Sequence, residues 1–346
     1  MSALVSSLSS STVISKLDGV SLAKDQLIGT HDGSFHCDEA LAVSMLKLLP
    51  AYADATVVRT RNPELLNQCG IVVDVGAVYD HTTNRYDHHQ REFTGVLDGY
   101  ETKLSSAGLV YKHFGKDIIR TILGGKDVDE KFVDICFHKL YKGFMEHIDA
   151  IDNGVSIADG PLKYHVSTSL SSRVGGLNPN WNEEQTPEIF NAKFVEAMTL
   201  TCTEFVTATK ALADNWWPAR EIVQTAMDSR FDVHPSGSII VLSQACPWKD
   251  HLFELPDEGK PVLYALFQDT GGSWRIQAVP QDPTSFICRK KLPDDWCGVR
   301  DLNLDAKLAA AGFTQDGAIF VHAGGFIGGH KLKEGALYMA SKALEM

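Results

Sequence analysis

IVVDVGAVYDHTTNRYDHHQ, residues 71–90, is the stretch whose reading decides the fold. Ile71-Val72-Val73 is an apolar β-branched run and predicts a buried strand. Asp74 interrupts that run just before Gly76. An unpaired carboxylate in a strand core costs several kcal/mol, so such a residue normally faces a cation or a set of donors. Thirteen residues further on comes Asp87-His88-His89, three groups in a row that can ligate a metal. Carboxylate oxygens and imidazoles together suit Mn²⁺, Mg²⁺, Fe²⁺ or Zn²⁺ and need no thiolate.

Working outward, residues 26–30 predict a short strand that runs into the loop His31-Asp32-Gly33-Ser34-Phe35-His36-Cys37-Asp38-Glu39. A helix is expected over 38–49, with Leu41, Met45, Leu48 and Leu49 on one face, Asp38 at the N-cap and Pro50 as the stop. This strand–loop–helix order sets His31, His36 and Asp38 at the carboxyl end of a strand, where open α/β sheets keep their ligands. A strand over 55–59, a short helix over 63–68 and the strand over 71–75 continue the alternation. The rhythm implies a mostly parallel sheet with right-handed crossovers. Helices are expected over 105–115 and 129–152, the second ending with Asp149 and Asp152 one turn apart, so that both can face one cavity.

Residues 173–187, RVGGLNPNWNEEQTP, are rich in Gly, Asn and Pro and read as a linker. The expected layout is a disordered tail over 1–24, a metal-binding α/β domain over 25–180 and a smaller α/β domain over 181–346. The second begins with a helical region over 188–230, kinked at Trp216-Trp217-Pro218. Strands follow over 238–242, 262–268, 274–279 and 318–321, and the last runs into the glycine-rich loop HAGGFIGGHK, residues 322–331.

Composition bounds the function. The net charge of −12 argues against broad electrostatic capture of nucleic acid, although bound cations can supply positive charge locally. No apolar run reaches the ~18 residues a membrane span needs, so no membrane partner is expected. Seven cysteines, an odd number without a CxxC pair, favour free thiols in a reducing compartment: cytoplasm, nucleus or mitochondrion. The Ser-rich amino terminus lacks the arginines of a transit peptide and is at most a weak mitochondrial signal.

Five of the 13 histidines (31, 36, 81, 88 and 89) fall within residues 31–89, a clustering that asks for a cause. Metal ligation and proton chemistry are the leading ones. His31, His36, Asp38, Asp74, His88 and one of Asp149 or Asp152 supply enough ligands for two cations if one carboxylate bridges, and Asp74 is the natural bridge. Two such cations activate water and hold both oxygens of a phosphoryl transfer. Oxygen and imidazole ligands without cysteine favour Mn²⁺ or Mg²⁺ over Zn²⁺. Cys37 reads as a packing residue, since no base–orienter pair accompanies it.

The Asp87-His88-His89 triplet, the upstream His/Asp loop and the isolated Asp74 resemble the first three motifs of the DHH phosphoesterase superfamily. More closely, GTHDGSFHCDEALA, VVDVG, YDHHQ, SSRVGGLNPNW, LPDDWCGVRDL and AGGFIGGHK resemble the melanocyte-proliferating-gene (Myg) family of 3′→5′ RNA exonucleases. The matches run from Gly29 to Lys331. The resemblance implies metal ligands at His31, Asp38, Asp74 and His88, with His36 standing where the superfamily has an acidic residue. It implies Asp152 from the Asp152-Asn153-Gly154 motif, with Asp149 the alternative, and a phosphate contact at His89. Catalysis would then centre on Asp74, His88 and His89. It also implies a carboxy-terminal substrate domain in which Gly324, Gly325, Gly328, Gly329 and His330 hold the nucleotide, with Lys331 and Arg300 as added donors.

The expected activity is removal of nucleoside monophosphates from single-stranded RNA 3′ ends by water attack at two divalent cations. A small-molecule phosphoesterase such as a pyrophosphatase or oligonucleotide hydrolase, acting on nucleotides, is the first rival. A catalytically silent RNA-binding module is the second. Polymer length, RNA against DNA and the oligomeric state stay open.

Overall fold

A computed structural model describes residues 3–17, 22–125 and 128–346 of the protein. The fold is mixed α/β with two sheets, and the chain separates into two compact units, Met1–Ala213 and Asp214–Met346.

The first unit holds β1 (Val13–Ile14), β2 (Leu27–Thr30), β3 (Thr56–Arg59), β4 (Ile71–Val73), β5 (Tyr79–Asp80) and β6 (Arg85–Tyr86), ordered β1-β3-β2-β4-β6-β5. The four pairings from β1 to β6 are parallel, and β5 returns antiparallel on β6, which makes the sheet mixed. Val57, Val58, Ile71 and Val73 are fully buried. Burial on both faces is why these strands read as continuous apolar runs instead of alternating ones. β1 lies inside the stretch expected to be a disordered tail. Val13 and Ile14 pair with Val57 and Val58, and Val5 and Leu8 are buried. A few apolar groups among the serines thus tie residues 3–17 to the sheet edge, while 18–21 lie outside the described residues.

Every residue of the Cys37–Lys47 helix is buried. It packs against the Ser106–Ile122 and Pro187–Ala211 helices, and a helix covered on all sides needs no polar stripe. Its N-cap is His36, not Asp38, and Glu39 reaches back to accept the His36 amide at 2.9 and 3.0 Å. Asp38 is thereby freed to turn inward. The Pro187–Ala211 helix, assigned by sequence to the second domain, packs within the first unit through Phe194, Met198, Cys202 and Phe205. The segment expected as a linker precedes it and likewise lies in the first unit, and its Arg173 pairs with Glu204. The expected 129–152 helix is two helices, Glu130–Leu140 and Glu146–Asp152, joined by a π-helical turn over Tyr141–Met145. Such bulges frequently re-aim side chains at functional sites.

The second unit contains β7 (Ile239–Val241), β8 (Tyr264–Gln268), β9 (Trp274–Ala278), β10 (Ala318–Val321) and β11 (Ile327–His330), ordered β10-β11-β9-β8-β7. Only β7–β8 is parallel. Alternate residues serve two cores, as the pleat requires. Ile239, Tyr264 and Leu266 join Trp296, Leu304 and Met339 on one side, whereas Ile240 and Ala265 join Val223, Trp248 and Leu252 on the other. Hairpins, not crossover helices, connect β8 to β9 and β10 to β11, so this sheet is mixed too. The mostly parallel pairing expected of the first domain holds there in four pairings and is broken by β5 on β6.

Candidate metal centre

Parallel neighbours β2, β4 and β6 end side by side. Their carboxyl ends deliver His31, Asp74 and Asp87-His88-His89 to one place. Asp74 leaves β4 with φ of +57°, a left-handed conformation that aspartate tolerates better than the preceding valines would. A non-glycine residue held there marks a position that the surrounding structure over-determines. The cavity in front of these ends measures about 850 Å³ and is lined by His31, His36, Asp38, Asp74, His89 and Asp152, among others.

Three groups of side chains in it place ligand atoms within 4.8 Å of one another and can hold a metal ion: His31, His36, Glu39 and Asp74; Asp74, His88 and His89; Asp38, His88 and Asp152. Asp74 and His88 each belong to two of the three. His31 Nε2 lies 2.9 Å from Glu39 Oε1 and 3.5 Å from Asp74 Oδ2. His88 Nε2 lies 2.9 Å from Asp152 Oδ2, 3.7 Å from Asp74 Oδ1 and 3.9 Å from Asp38 Oδ2. His89 is exposed, and its Nδ1 meets Asp87 Oδ1 at 2.7 Å and Asp74 Oδ1 at 3.5 Å. Arg61 stands at the rim, ion-paired with Asp32 and 3.3 Å from His31 Nδ1.

Asp38 is held by Ser105 Oγ (2.6 Å) and the amides of Ser106 (3.0 Å) and Ala107 (2.5 Å), a carboxylate on the amino terminus of the Ser106–Ile122 helix. Ser105 continues the chain inward. Its amide and hydroxyl donate to Asp149 Oδ1 at 2.9 and 2.8 Å, and Tyr141 donates to Asp149 Oδ2 at 2.9 Å. The two candidate aspartates therefore part company. Asp149 is fully buried and belongs to none of the three ligand groups, while Asp152, three residues on, lines the cavity and belongs to one.

Electrostatics follow from the crowding. Burial, then repulsion from Asp74 and Asp152, pushes the Asp38 carboxyl well above the usual range, and burial raises Asp74 as well. Burial opposes a charged His31, but the hydrogen bonds to Asp74 and Glu39 outweigh it and lift the imidazole to about 10. These acids call for positive charge. His88 Nε2 is buried and, although close to Asp152, makes no well-directed hydrogen bond. An imidazole nitrogen in that position, among carboxylate oxygens, fits a divalent cation with mixed oxygen and nitrogen ligands. Cys37 lines the same cavity, yet burial drives its thiol up to about 12, in keeping with a packing role.

Glu39 is the residue that sequence reading missed. Its three-residue spacing from His36 is that of the capping bond it makes, and nothing local signals a ligand. The carboxy-terminal candidates belong to the second unit. Arg300 is exposed above the Phe320 ring, and Lys331 and Gly324 are also exposed. Gly325, Gly328, Gly329 and His330 are buried, the last three within β11, so the expected loop is a β-hairpin. His330 is held as part of the hairpin. Its ring is fully buried against Phe313, and its Nδ1 accepts the Leu332 amide at 2.9 Å.

Parallel strand ends carrying buried imidazoles and carboxylates thus form a cluster that could hold a metal ion. A family model described as "Uncharacterised protein family (UPF0160)", MYG1_exonuc, matches residues 27–344. The chain is 47% identical to the MYG1 protein C27H6.8 of Caenorhabditis elegans, covering 92% of this chain and 95% of the relative. It is 47% identical to the MYG1 exonuclease of Homo sapiens (92% and 85%) and 44% identical to the MYG1 protein YER156C of Saccharomyces cerevisiae (92% and 95%). The chain belongs to the MYG1 exonuclease family. No solved structure matches it.

Proposed function

We propose that this protein is a divalent-metal-dependent nuclease that removes nucleoside monophosphates from the 3′ end of single-stranded RNA. The observation that carries the reading is the overlap of three ligand groups on Asp74 and His88. Relatives named MYG1 exonuclease support the nuclease class. The likeness of the DHH triplet to that phosphoesterase superfamily supports phosphodiester cleavage at two cations. His31, His36, Glu39 and Asp74 would hold one cation, and Asp38, His88 and Asp152 the other, with Asp74, which also groups with His88, shared between them. Mn²⁺ or Mg²⁺ bound there lowers the pKa of water and neutralises phosphate charge.

The protein's own groups do the positioning. Ser105 and the helix amides fix Asp38, and Asp87 orients the exposed His89 ring towards an incoming phosphate. Seven free thiols suit an intracellular reducing setting. Among the described residues no helix is long and apolar enough to cross a membrane.

Product analysis on 5′-labelled single-stranded RNA, single-stranded DNA and pyrophosphate, each with Mn²⁺, Mg²⁺ or EDTA, tests the reading. A metal-dependent ladder shortening RNA one nucleotide at a time is expected. Hydrolysis of pyrophosphate alone, or a ladder that persists in EDTA, would overturn it.

A further inference from the structure

A second cavity of about 580 Å³ adjoins the metal centre and shares Arg61, Val75 and Gly76 with it. The charge of the two linings is opposite. The metal cavity is walled by Asp38, Asp74, Asp87 and Asp152, whereas the adjoining one carries Lys24, Arg61 and Arg85 and no acidic lining residue. In a chain of net charge −12, Lys24 and Arg85, with Arg61 paired to Asp32 at the rim, make this concave wall locally basic.

Arg85 donates to the main-chain carbonyls of Thr83 (3.1 Å), Asn84 (3.2 Å) and Cys69 (3.2 Å). Those bonds fix its guanidinium without neutralising it. Asn67 and Thr83 add neutral hydrogen-bonding groups to the same wall. Arg61 stands between the cavities, 59% exposed at its side chain.

We infer that this adjoining cavity is a subsite for backbone phosphates of a single-stranded oligonucleotide whose terminal phosphodiester lies at the metal centre. The inference rests on the proposed nuclease reading and deepens it by making polymer length the selected property. Pyrophosphate or a mononucleotide ends within the first cavity. An oligonucleotide carries a further negative charge with each nucleotide and reaches the lysine and arginines beyond Arg61. Phosphate contacts of this kind position a strand without reading its sequence and are weakened by salt.

Fluorescence anisotropy with an end-labelled eight-nucleotide single-stranded RNA in EDTA, at several KCl concentrations, reads the subsite without turnover. Each lost phosphate contact on a single strand lowers the slope of log Kd against log salt by about 0.7. Lys24→Gln should therefore lower it by about 0.7 and Lys24→Gln/Arg85→Gln by about 1.4, with Kd weakened roughly tenfold in the double variant. Lys24 is exposed, so the single variant guards against misfolding when Arg85 is lost from its carbonyls. A second arm compares KM for the eight-nucleotide RNA with KM for a dinucleotide in Mn²⁺; only the longer substrate should suffer. Unchanged slopes, or equal losses on both substrates, overturn the subsite. If wild type binds RNA through these residues but cleaves none, the nuclease reading fails and the subsite stands.

Discussion

Asn178 clasps the main chain of Phe35 with both ends of its amide: Oδ1 accepts the Phe35 amide at 3.0 Å and Nδ2 donates to the Phe35 carbonyl at 2.8 Å. Arg59, buried beneath, donates to the Gly33 carbonyl at 2.6 Å and lies over the Phe194 ring at 4.6 Å. The loop that presents His31 and His36 is thus anchored by a residue distant in sequence. Asn178→Ala removes two hydrogen bonds and should cost about 1–3 kcal/mol of stability. It should also weaken Mn²⁺ binding several-fold by loosening the loop. Urea unfolding and calorimetric titration measure the two effects, and a variant unchanged in both would contradict the anchoring role.

Glu39 and Asp74 should rank as the structure ranks them. Glu39→Gln removes a ligand from one group, and Asp74→Asn removes one shared by two. Mn²⁺ affinity is expected to fall at least tenfold in the first variant and further in the second, with activity following. Equal affinities in wild type and Glu39→Gln would strike Glu39 from the ligand set.

Asp149 and Asp152 should separate cleanly. Asp152→Asn is expected to lose metal affinity with little change in stability, because its side chain opens to the cavity. Asp149→Asn should do the reverse, disturbing the bonds from Ser105 and Tyr141 at about 1–3 kcal/mol. Paired metal titrations and unfolding curves decide it, and metal loss confined to the Asp149 variant would reverse the assignment.

The pH dependence of the metal-free protein carries a further test. Burial raises the Asp149 carboxyl to about 7, against hydrogen bonds from Ser105 and Tyr141 that pull it down. The folded state therefore favours its protonated form. Its stabilising contribution is full below the unfolded value near 4 and is lost as pH rises through about 7. Asp149→Asn abolishes that loss. Between pH 4 and 7 the variant should gain on wild type by on the order of 1 kcal/mol per pH unit. Urea unfolding in EDTA across this range checks it, and a constant difference between the two proteins would refute it.

The glycine-rich hairpin is expected to behave as structure. A Cβ at Gly328 would lie 3.0 Å from Leu292 Cδ1 and 3.2 Å from the Phe320 carbonyl oxygen. Gly328→Val should therefore destabilise the protein by about 1–3 kcal/mol through overpacking. A thermal midpoint equal to that of wild type would return the hairpin to consideration as a free loop.

The sequence by itself determined the strands that matter most and what they carry. Ile71-Val72-Val73 announces β4 because both faces are apolar, and the histidines and aspartates just past β2, β4 and β6 follow from short-range order along the chain. What sequence spacing left open was which groups meet. Asp149 and Asp152 are equivalent one turn apart on a helix until Ser105, 44 residues away in sequence, and the nearer Tyr141 claim Asp149. Glu39 carries no local sign of ligation until β2 and β4 lie side by side and bring His31 and Asp74 to it. His330 looks like a donor in a loop until β11 pairs with β9 and β10 and buries its ring. The Pro187–Ala211 helix looks like the start of a second domain until its apolar face finds the Cys37–Lys47 helix. Each of these outcomes depends on a contact between residues separated by tens of positions or more. Local propensity and periodicity carry no term for such contacts, and only packing in three dimensions decides them.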